Sequence, residues 1–231
     1  MAELRGRLVE VFQLGSQRAG ILDLPPQYWP HPGQYLPCRN SSREDTLVPV
    51  NLFNVIGPKG KLSLGPLPNV WLPGDELAFL PPQGHGFHLP AAVRRVGLLA
   101  IDSPSICLLT LVDYALSQDA AVTLFCDPIP PMGILTQLPA VVEVRPVSSL
   151  LEDLNWPDFL AVEVRLENLS SLPRFLGQTQ LLFTGQVLVR TAMPCRGLGA
   201  CGICSIKTRH GWKYACLDGP VFSLEEVFNV A

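Results

Sequence analysis

The sequence predicts a multidomain α+β protein with an antiparallel β-barrel, then an α/β domain with a parallel sheet, then a cysteine-rich segment. Three observations lead to this prediction. Short alternating strands, separated by proline and glycine, fill roughly the first 90 residues. Strands then alternate with helical stretches. Four of the seven cysteines fall within 22 residues near the C-terminus. We place the three parts at residues 1–92, 93–185 and 186–231.

The barrel is predicted from period-two alternation between turn residues. Arg7–Leu14 alternates apolar and polar residues, and Gly33–Leu36 follows a proline-rich bend. Further strands are expected at Thr46–Ile56, Lys61–Leu64 and Asp75–Leu80. Five or six short strands with turns every 8–12 residues or so are typical of a small antiparallel barrel.

The second part opens with the buried-strand run Val96–Ile101. Ser103 and Pro104 predict the start of a helix through Ser117, because serine caps a helix and proline suits its first position. Later strands are expected at Ala121–Cys126, Val141–Arg145, Phe159–Val164 and Leu181–Phe183, with helices at Ser148–Leu154 and Leu169–Leu176. This alternation favours a parallel sheet.

Composition narrows the classes of function. The net charge of −3 provides no basic footprint, so we expect no nucleic-acid partner. The longest apolar stretch, Val96–Val112, is interrupted at Asp102, so we expect no membrane span. The charged N-terminus lacks the apolar run of a signal peptide, which favours a cytoplasmic location. With 48% hydrophobic and only 16% charged residues, some surface is expected to be covered by a partner protein.

The C-terminal cysteines have the spacing C-x5-C-x2-C-x11-C and are interleaved with glycines. Each iron of a [2Fe–2S] cluster needs two soft anionic ligands, which thiolates supply. Glycines let the backbone approach the cluster and direct N–H groups at it. We therefore predict a [2Fe–2S] site whose ligands are Cys195, Cys201, Cys204 and Cys216.

One detail of the spacing is unusual. The plant-type pattern begins C-x4-C, whereas this chain has one extra residue in the first gap. Counted back from Cys201, the usual first-ligand position is occupied by Arg196. The flanking glycines make the loop pliable, so we still expect Cys195 to bind. Arg196 could raise the cluster potential or contact a partner, and the sequence does not separate these roles.

Other interpretations of the cysteines are weaker. A zinc site normally pairs two C-x2-C knuckles, and only Cys201–Cys204 forms one. Disulfides are not expected in a reducing compartment. The remaining cysteines lie in apolar surroundings and are expected to act as small core residues: Cys38, Cys107 and Cys126.

Four motifs carry a family resemblance. They are PGQY at Pro32–Tyr35, PGDEL at Pro73–Leu77, QGHGF at Gln83–Phe87, and the cysteine segment from Met193 to Phe222. In this order they resemble the iron–sulfur flavoprotein electron-transfer subunits of heteromeric dihydroorotate dehydrogenases, in the ferredoxin reductase-like superfamily. The resemblance implies that electrons pass from NADH to FAD and then through a [2Fe–2S] cluster to a separate catalytic subunit. It also implies a role in pyrimidine biosynthesis. Such a subunit is not catalytically complete alone.

The flavin motif of that family is altered here. Its Arg-Pro-x-Ser stretch, whose arginine pairs with the pyrophosphate, reads Val48-Pro-Val-Asn51 in this chain. The resemblance implies Pro49, Asn51 and Gly65 as FAD-binding residues. Asn51 can still form hydrogen bonds, but Val48 cannot pair with a phosphate. Arg43 is a nearby cation that could substitute.

The nicotinamide motif is altered more strongly. The family has a glycine-rich loop that receives phosphate at a helix start. The corresponding loop, Ala100–Ser105, contains no glycine, and it places the carboxylate of Asp102 and the donor-free nitrogen of Pro104 there. We therefore do not expect NAD to bind in the usual manner.

Two smaller features are interpreted as having no functional role. His85 and His88 are expected to be solvent-exposed loop residues, and Asp75-Glu76 a solvated charge pair before a strand. The sequence contains no Ser-His-Asp, P-loop or HExxH pattern, so no catalytic residue is expected.

Three hypotheses follow. The first is an electron-transfer subunit that passes electrons through a [2Fe–2S] cluster to or from a partner oxidoreductase resembling dihydroorotate dehydrogenase, with FAD retained. The second is a cluster-bearing structural subunit of a larger redox complex that has lost FAD and NAD. The third is a zinc-stabilised interaction protein without a redox role.

Overall fold

A computed structural model of the chain describes residues 3–42, 48–101, 106–152, 155–177 and 183–228. Its strands form a closed six-stranded barrel, a six-stranded sheet and a two-stranded hairpin. Within these described ranges, no helix is long and apolar enough to cross a membrane.

The barrel confirms the prediction for the first part of the chain. Its strands pair antiparallel in the order β1-β2-β5-β4-β3-β6 and close on each other. β1 pairs with both β2 and β6, and its register with β2 shifts between Leu8 and Glu10. Apolar side chains fill the interior, with Trp71, Leu36, Leu52 and Phe79 almost fully buried. The strands are β1 Leu4–Leu14, β2 Gln17–Asp23, β3 Tyr35–Asn40, β4 Val50–Asn54, β5 Leu62–Gly65 and β6 Glu76–Phe79.

The second part is the predicted parallel sheet. Five parallel strands take the order β11-β10-β7-β8-β9. The central strands are buried on both faces, as expected for a sheet covered on both sides. These strands are β7 Arg95–Ala100, β8 Ala121–Cys126, β9 Glu143–Arg145, β10 Phe159–Arg165 and β11 Thr184–Arg190.

Two of the predicted helices are shorter, within the described residues, than the sequence indicates. Residues 102–105, with the predicted helix start, lie outside the described residues, and the described part begins as a 3-10 turn at Leu108–Thr110. The segment predicted at Leu169–Leu176 is divided between a 3-10 stretch, Leu166–Ser171, and one short α-helix. Proline at the start of that helix is compatible with this division. The helices here are α1 Leu111–Ser117, α2 Met132–Leu135, α3 Val147–Glu152 and α4 Leu172–Leu176.

The last parallel strand lies later in the chain than predicted. The sequence places it at 181–183, of which 181–182 lie outside the described residues, whereas β11 begins at Thr184. Its central residues Val187–Val189 are fully buried, and β10 pairs with it on one side. The expected boundary between 185 and 186 therefore falls inside this strand.

The cysteine segment leaves the sheet and returns to it. The chain leaves β11 at Arg190, forms the hairpin of β12 Ser205–Thr208 and β13 Gly211–Tyr214, and passes through α5 Ala215–Asp218. It then adds β14 Val221–Ser223 antiparallel to β11, before α6 Leu224–Val227. Both ends of the segment are thus fixed on neighbouring strands.

The surroundings of Asp75 differ from those that the sequence predicts. The predicted solvated charge pair holds for exposed Glu76 but is wrong for Asp75, which is only 8% exposed. Its Oδ2 accepts hydrogen bonds from Asn40 Nδ2 at 2.7 Å and from the Leu72 N–H at 2.9 Å. The carboxylate satisfies buried donors, so it stabilises the turn before β6.

We predict that Asp75→Ala lowers the free energy of unfolding by about 1–3 kcal/mol, because it leaves the buried Asn40 donor unpaired. The neighbouring control Glu76→Ala is expected to change it by less than about 0.5 kcal/mol. Urea unfolding followed by circular dichroism measures both. Equal effects of the two substitutions would contradict this role for Asp75.

Candidate functional site

The cysteine loop is built from tight turns between β11 and the β12–β13 hairpin. The Leu198 N–H donates to Cys195 O at 3.2 Å, and the Ser205 N–H donates to Gly202 O at 3.2 Å. The Ala215 N–H donates to Cys204 O at 3.0 Å. This last bond brings the backbone beside Cys216 back to the loop that carries the other cysteines.

Left-handed backbone makes these turns possible. Gly197, Gly199 and Gly202 have φ of 80°, 64° and 70°, values that glycine adopts without steric cost. Arg196, the extra residue, has φ of 56°, which costs a residue with a side chain about 1–2 kcal/mol. The insertion is therefore absorbed as one additional left-handed residue next to Cys195.

The cysteines differ in exposure. Cys204 and Cys216 are buried, Cys195 is half-buried, and Cys201 is exposed. The sulfurs of Cys195 and Cys216 lie 3.8 Å apart. Among the residues that the structure describes, no group of three or more Cys, His, Asp or Glu side chains is placed to hold a metal ion. The full four-cysteine ligand set therefore stays a prediction. The contact between the sulfurs of Cys195 and Cys216 is the part of that set that the structure brings together.

The surroundings of Cys195 and Cys216 shift the pKa values of these two thiols in opposite directions. Desolvation acts to raise the pKa of Cys195, but hydrogen bonds from the Ala200 N–H, the Cys201 and Cys216 thiols and the Leu198 N–H lower it to about 6. Burial and the neighbouring Cys204 raise the pKa of Cys216 to about 12. Because backbone N–H groups point at these sulfurs, the loop is suited to holding anionic thiolates.

The barrel covers the inner side of the cysteine segment. The His85 N–H donates to Gly219 O at 2.6 Å, and the Tyr35 hydroxyl lies 3.3 Å from Cys216 O. Burial and the nearby Cys216, Cys204 and Cys195 raise the pKa of Tyr35 above its ordinary value. The PGQY and QGHGF motifs therefore serve as the contact between barrel and cysteine segment.

The two histidines are exposed, as expected. His85 Nδ1 lies 3.0 Å from the carbonyl oxygen of Asp218, and the His88 N–H donates to Gln186 Oε1 at 2.8 Å. These contacts give both residues a place in packing the barrel's end against the C-terminal segment.

A cavity of about 650 Å³ separates the barrel from the central sheet. Its size is in the range of small-molecule sites. Predicted flavin residues Pro49 and Asn51 line it, as does Val48. Gly65 faces Arg18 and Ala19 of β2 instead, while the adjacent Pro66 lines the cavity. The suggested substitute Arg43 lies outside the described residues.

The cavity and the cysteine segment share a wall. Residues 191–194, which lead directly into Cys195, line the cavity. Asn51 Nδ2 donates to Met193 O at 3.3 Å. Its Oδ1 is buried and, within the described part of the chain, has no hydrogen-bond partner. Asn51 is therefore placed to bond both the segment and a ligand.

A buried ion pair lines the same cavity and was missed from the sequence. Arg190 Nη1 lies 2.9 Å from Glu163 Oε1, and the two side chains are 18% and 6% exposed. The guanidinium also lies 5.7 Å from the ring centre of Phe53 in the barrel. Both residues stand near the carboxyl ends of adjacent parallel strands, where ligands commonly bind in open α/β sheets.

The positions of Glu163 and Arg190 in their strands are the one sequence signal that could have revealed this ion pair. Glu163 interrupts the apolar run of β10, and Arg190 ends the apolar run of β11. The loop predicted at the nicotinamide position contains Asp102, Ser103 and Pro104, which lie outside the described residues. Directly after it, the Ile56 N–H of the barrel donates to Ile106 O at 3.2 Å.

Comparison with known proteins agrees with this geometry. Residues 191–228 match the family model of the iron–sulfur cluster binding domain of dihydroorotate dehydrogenase B. The electron transfer subunit of dihydroorotate dehydrogenase B (NAD(+)) from Desulforamulus reducens is 26% identical, over 83% of this chain and 84% of that protein. The gamma subunit of sulfhydrogenase 1 from Pyrococcus furiosus is 44% identical over 43 residues, 19% of this chain and 14% of that subunit.

The fold is also that of a solved structure. The NADH-dependent reduced ferredoxin–NADP oxidoreductase superposes with a TM-score of 0.73 at 15% identity, covering 96% of this chain and 88% of that one. The barrel, the parallel sheet and their order are therefore ferredoxin reductase-like. Residues 191–228 match the iron–sulfur cluster binding domain of dihydroorotate dehydrogenase B, and the chain as a whole is similar to that enzyme's electron transfer subunit.

Proposed function

We propose that this chain is an electron-transfer subunit that passes electrons through a [2Fe–2S] cluster to or from a partner oxidoreductase resembling dihydroorotate dehydrogenase. The wall shared by the cavity and the cysteine segment is the observation that carries this proposal, because electron transfer requires two redox sites close together. The proposed ligands are Cys195, Cys201, Cys204 and Cys216.

The residues present fit such a cluster. Thiolates are its ordinary ligands, and the Leu198, Gly199 and Ala200 N–H groups already bond the sulfurs of Cys195 and Cys216. Bound there, the cluster supplies one-electron chemistry. The four cysteines would hold it, with Tyr35 and Gln83 of the barrel beside Cys216 and Gly197, and with Cys201 exposed at the surface.

The cysteine segment carries exposed apolar side chains. Leu198 is 72% exposed and Trp212 70%, and Ile203 and Leu217 are also exposed. Burial of such side chains in an interface with a partner protein is favourable. We propose that the catalytic partner subunit docks on the exposed face of this segment, beside Cys201.

We also propose that the cavity binds FAD, with Pro49 and Asn51 on the flavin side. The two arginines that line it, Arg165 and Arg190, are paired with Glu167 and Glu163. Arg190 is the more buried of the two, so we assign it the phosphate-facing role that Val48 cannot perform.

One observation favours the second candidate, a cluster-bearing subunit without flavin. The charges of the arginines and glutamates that line the cavity cancel, and Val48 is an exposed apolar residue where a cation would be useful. A dinucleotide with two phosphates would gain little electrostatic attraction from such a site. Direct measurement of flavin binding separates the two candidates.

Cys195 should behave as a thiolate at neutral pH. In protein stripped of iron, its alkylation by iodoacetamide is expected to be half-maximal near pH 6, constant above pH 7 and falling below pH 6. The depressed pKa sets this direction, because the thiolate is lost as pH falls through it. Peptide mass spectrometry gives the rate, and buried Cys38 is the unreactive control. A midpoint near the ordinary thiol value, about 8.5, would contradict it.

Anaerobically purified protein is expected to contain about two irons and two labile sulfides per chain. Cys195→Ser should lower iron content about tenfold or more, because a ligand is lost, while Cys126→Ser in the central sheet should retain it. Elemental and sulfide analysis measures both. Normal iron in Cys195→Ser would remove that residue from the ligand set, and stoichiometric zinc in place of iron would overturn the proposed function.

Arg190→Met is expected to weaken FAD binding about tenfold or more, because one charge-assisted hydrogen bond contributes about 1.5–3 kcal/mol. Breaking the pair could also destabilise the fold, so the double variant Arg190→Met/Glu163→Gln, which leaves no unpaired charge, serves as the matched test. Flavin fluorescence titration gives the dissociation constants, with Arg94→Met as a remote control. Wild-type protein that binds no FAD would favour the second candidate.

A further inference from the structure

Tyr35 lies where the barrel meets the cysteine segment. It is the first residue of β3 and its side chain is fully buried. Its hydroxyl lies 3.3 Å from Cys216 O and 3.4 Å from Gln83 Oε1. A phenol has one proton, so it donates to one of these acceptors at a time. One acceptor belongs to a proposed cluster ligand.

The opposite side of Tyr35 faces the cavity wall. Its ring centre lies 6.0 Å from that of Phe53, with the planes tilted by 44°. Phe53 lines the cavity, and Arg190 lies over the same ring. Tyr35 therefore stands between Phe53, which lines the cavity, and the cysteine segment.

Backbone hydrogen bonds hold Tyr35 beside Gln83. The Tyr35 N–H donates to Gln83 O at 3.1 Å, and the Gln83 N–H donates to Tyr35 O at 2.9 Å, which fixes the two residues together. A Cβ at Gly197 would collide with Gln83 Oε1, and one at Gly84 would collide with Pro220. The cysteine segment thus packs against the barrel on two sides of Tyr35.

We propose that Tyr35 is a positioning residue that ties the Cys216 side of the site to the barrel and raises the reduction potential of the cluster. The proposal rests on the proposed function, since it requires the cluster. Reduction of the proposed cluster would add negative charge to the site that the thiolate of Cys216 would help to hold. An O–H donor whose positive end faces that charge would stabilise the reduced state, because hydrogen bonds around a cluster set its potential.

Gln83 competes with Cys216 for the same proton. When the hydroxyl donates to Gln83 Oε1, its positive end turns from the Cys216 carbonyl. Replacing Gln83 by methionine keeps a side chain of similar length and leaves the Cys216 carbonyl as the acceptor. The two residues therefore provide substitutions with opposite expected effects on one measured quantity.

The test is the midpoint potential of the cluster in anaerobic redox titrations monitored by electron paramagnetic resonance. Tyr35→Phe, which keeps the ring against Phe53, is expected to lower the potential with unchanged iron content. Gln83→Met is expected to raise it. Tyr114→Phe, the same substitution on exposed α1, is expected to leave it unchanged.

The outcomes separate this inference from the proposed function. A normal iron content with equal potentials in wild type and Tyr35→Phe would overturn the role of Tyr35 and leave the function standing. If Tyr35→Phe fails to retain iron, Gln83→Met decides, because an unchanged or lowered potential there would overturn the inference. Wild-type protein without iron would instead overturn the proposed function.

Discussion

The pairing of β11 with β14 holds both ends of the segment that carries the four cysteines. Val187 is opposite Phe222 in this pair, and the Val189 N–H donates to Pro220 O at 2.9 Å. Neighbouring strands lie only about 5 Å apart, so residues 191–220 must leave and return at one place on the sheet. The two-stranded β12–β13 hairpin would be marginal alone, and α6 supports it, since the Arg209 N–H donates to Glu226 O at 2.9 Å.

The second constraint is the barrel, which closes over the segment from the other side. Buried Tyr35 and half-buried Gln83 contact the cysteine segment, and Asn51 bonds the carbonyl of Met193 two residues before Cys195. Asn51 also lines the cavity, and Tyr35 packs near Phe53 in its wall. One interface thus positions the thiols and brings the cavity beside them, which is the arrangement that a two-centre electron carrier needs.

Local patterns in the sequence were sufficient for much of this architecture. Alternating residues identified the barrel strands, apolar runs identified the parallel sheet, and the spacing of the cysteines identified the metal-binding segment. Features that depend on contacts between distant residues were not accessible in this way. Asp75 looked solvated because its buried partner Asn40 lies 35 positions earlier, and the Glu163–Arg190 pair forms only when two strands align. Arg196 could be recognised as an insertion, but its left-handed backbone could not.

We propose that the cysteine segment holds one [2Fe–2S] cluster that accepts a single electron. Electron paramagnetic resonance with spin integration tests it most directly. The oxidised protein is expected to be silent, and reduction by dithionite is expected to produce one unpaired spin for each pair of irons. A reduced protein that contains iron but shows no such signal, or one whose signal persists after all four cysteines are replaced by serine, would contradict the claim.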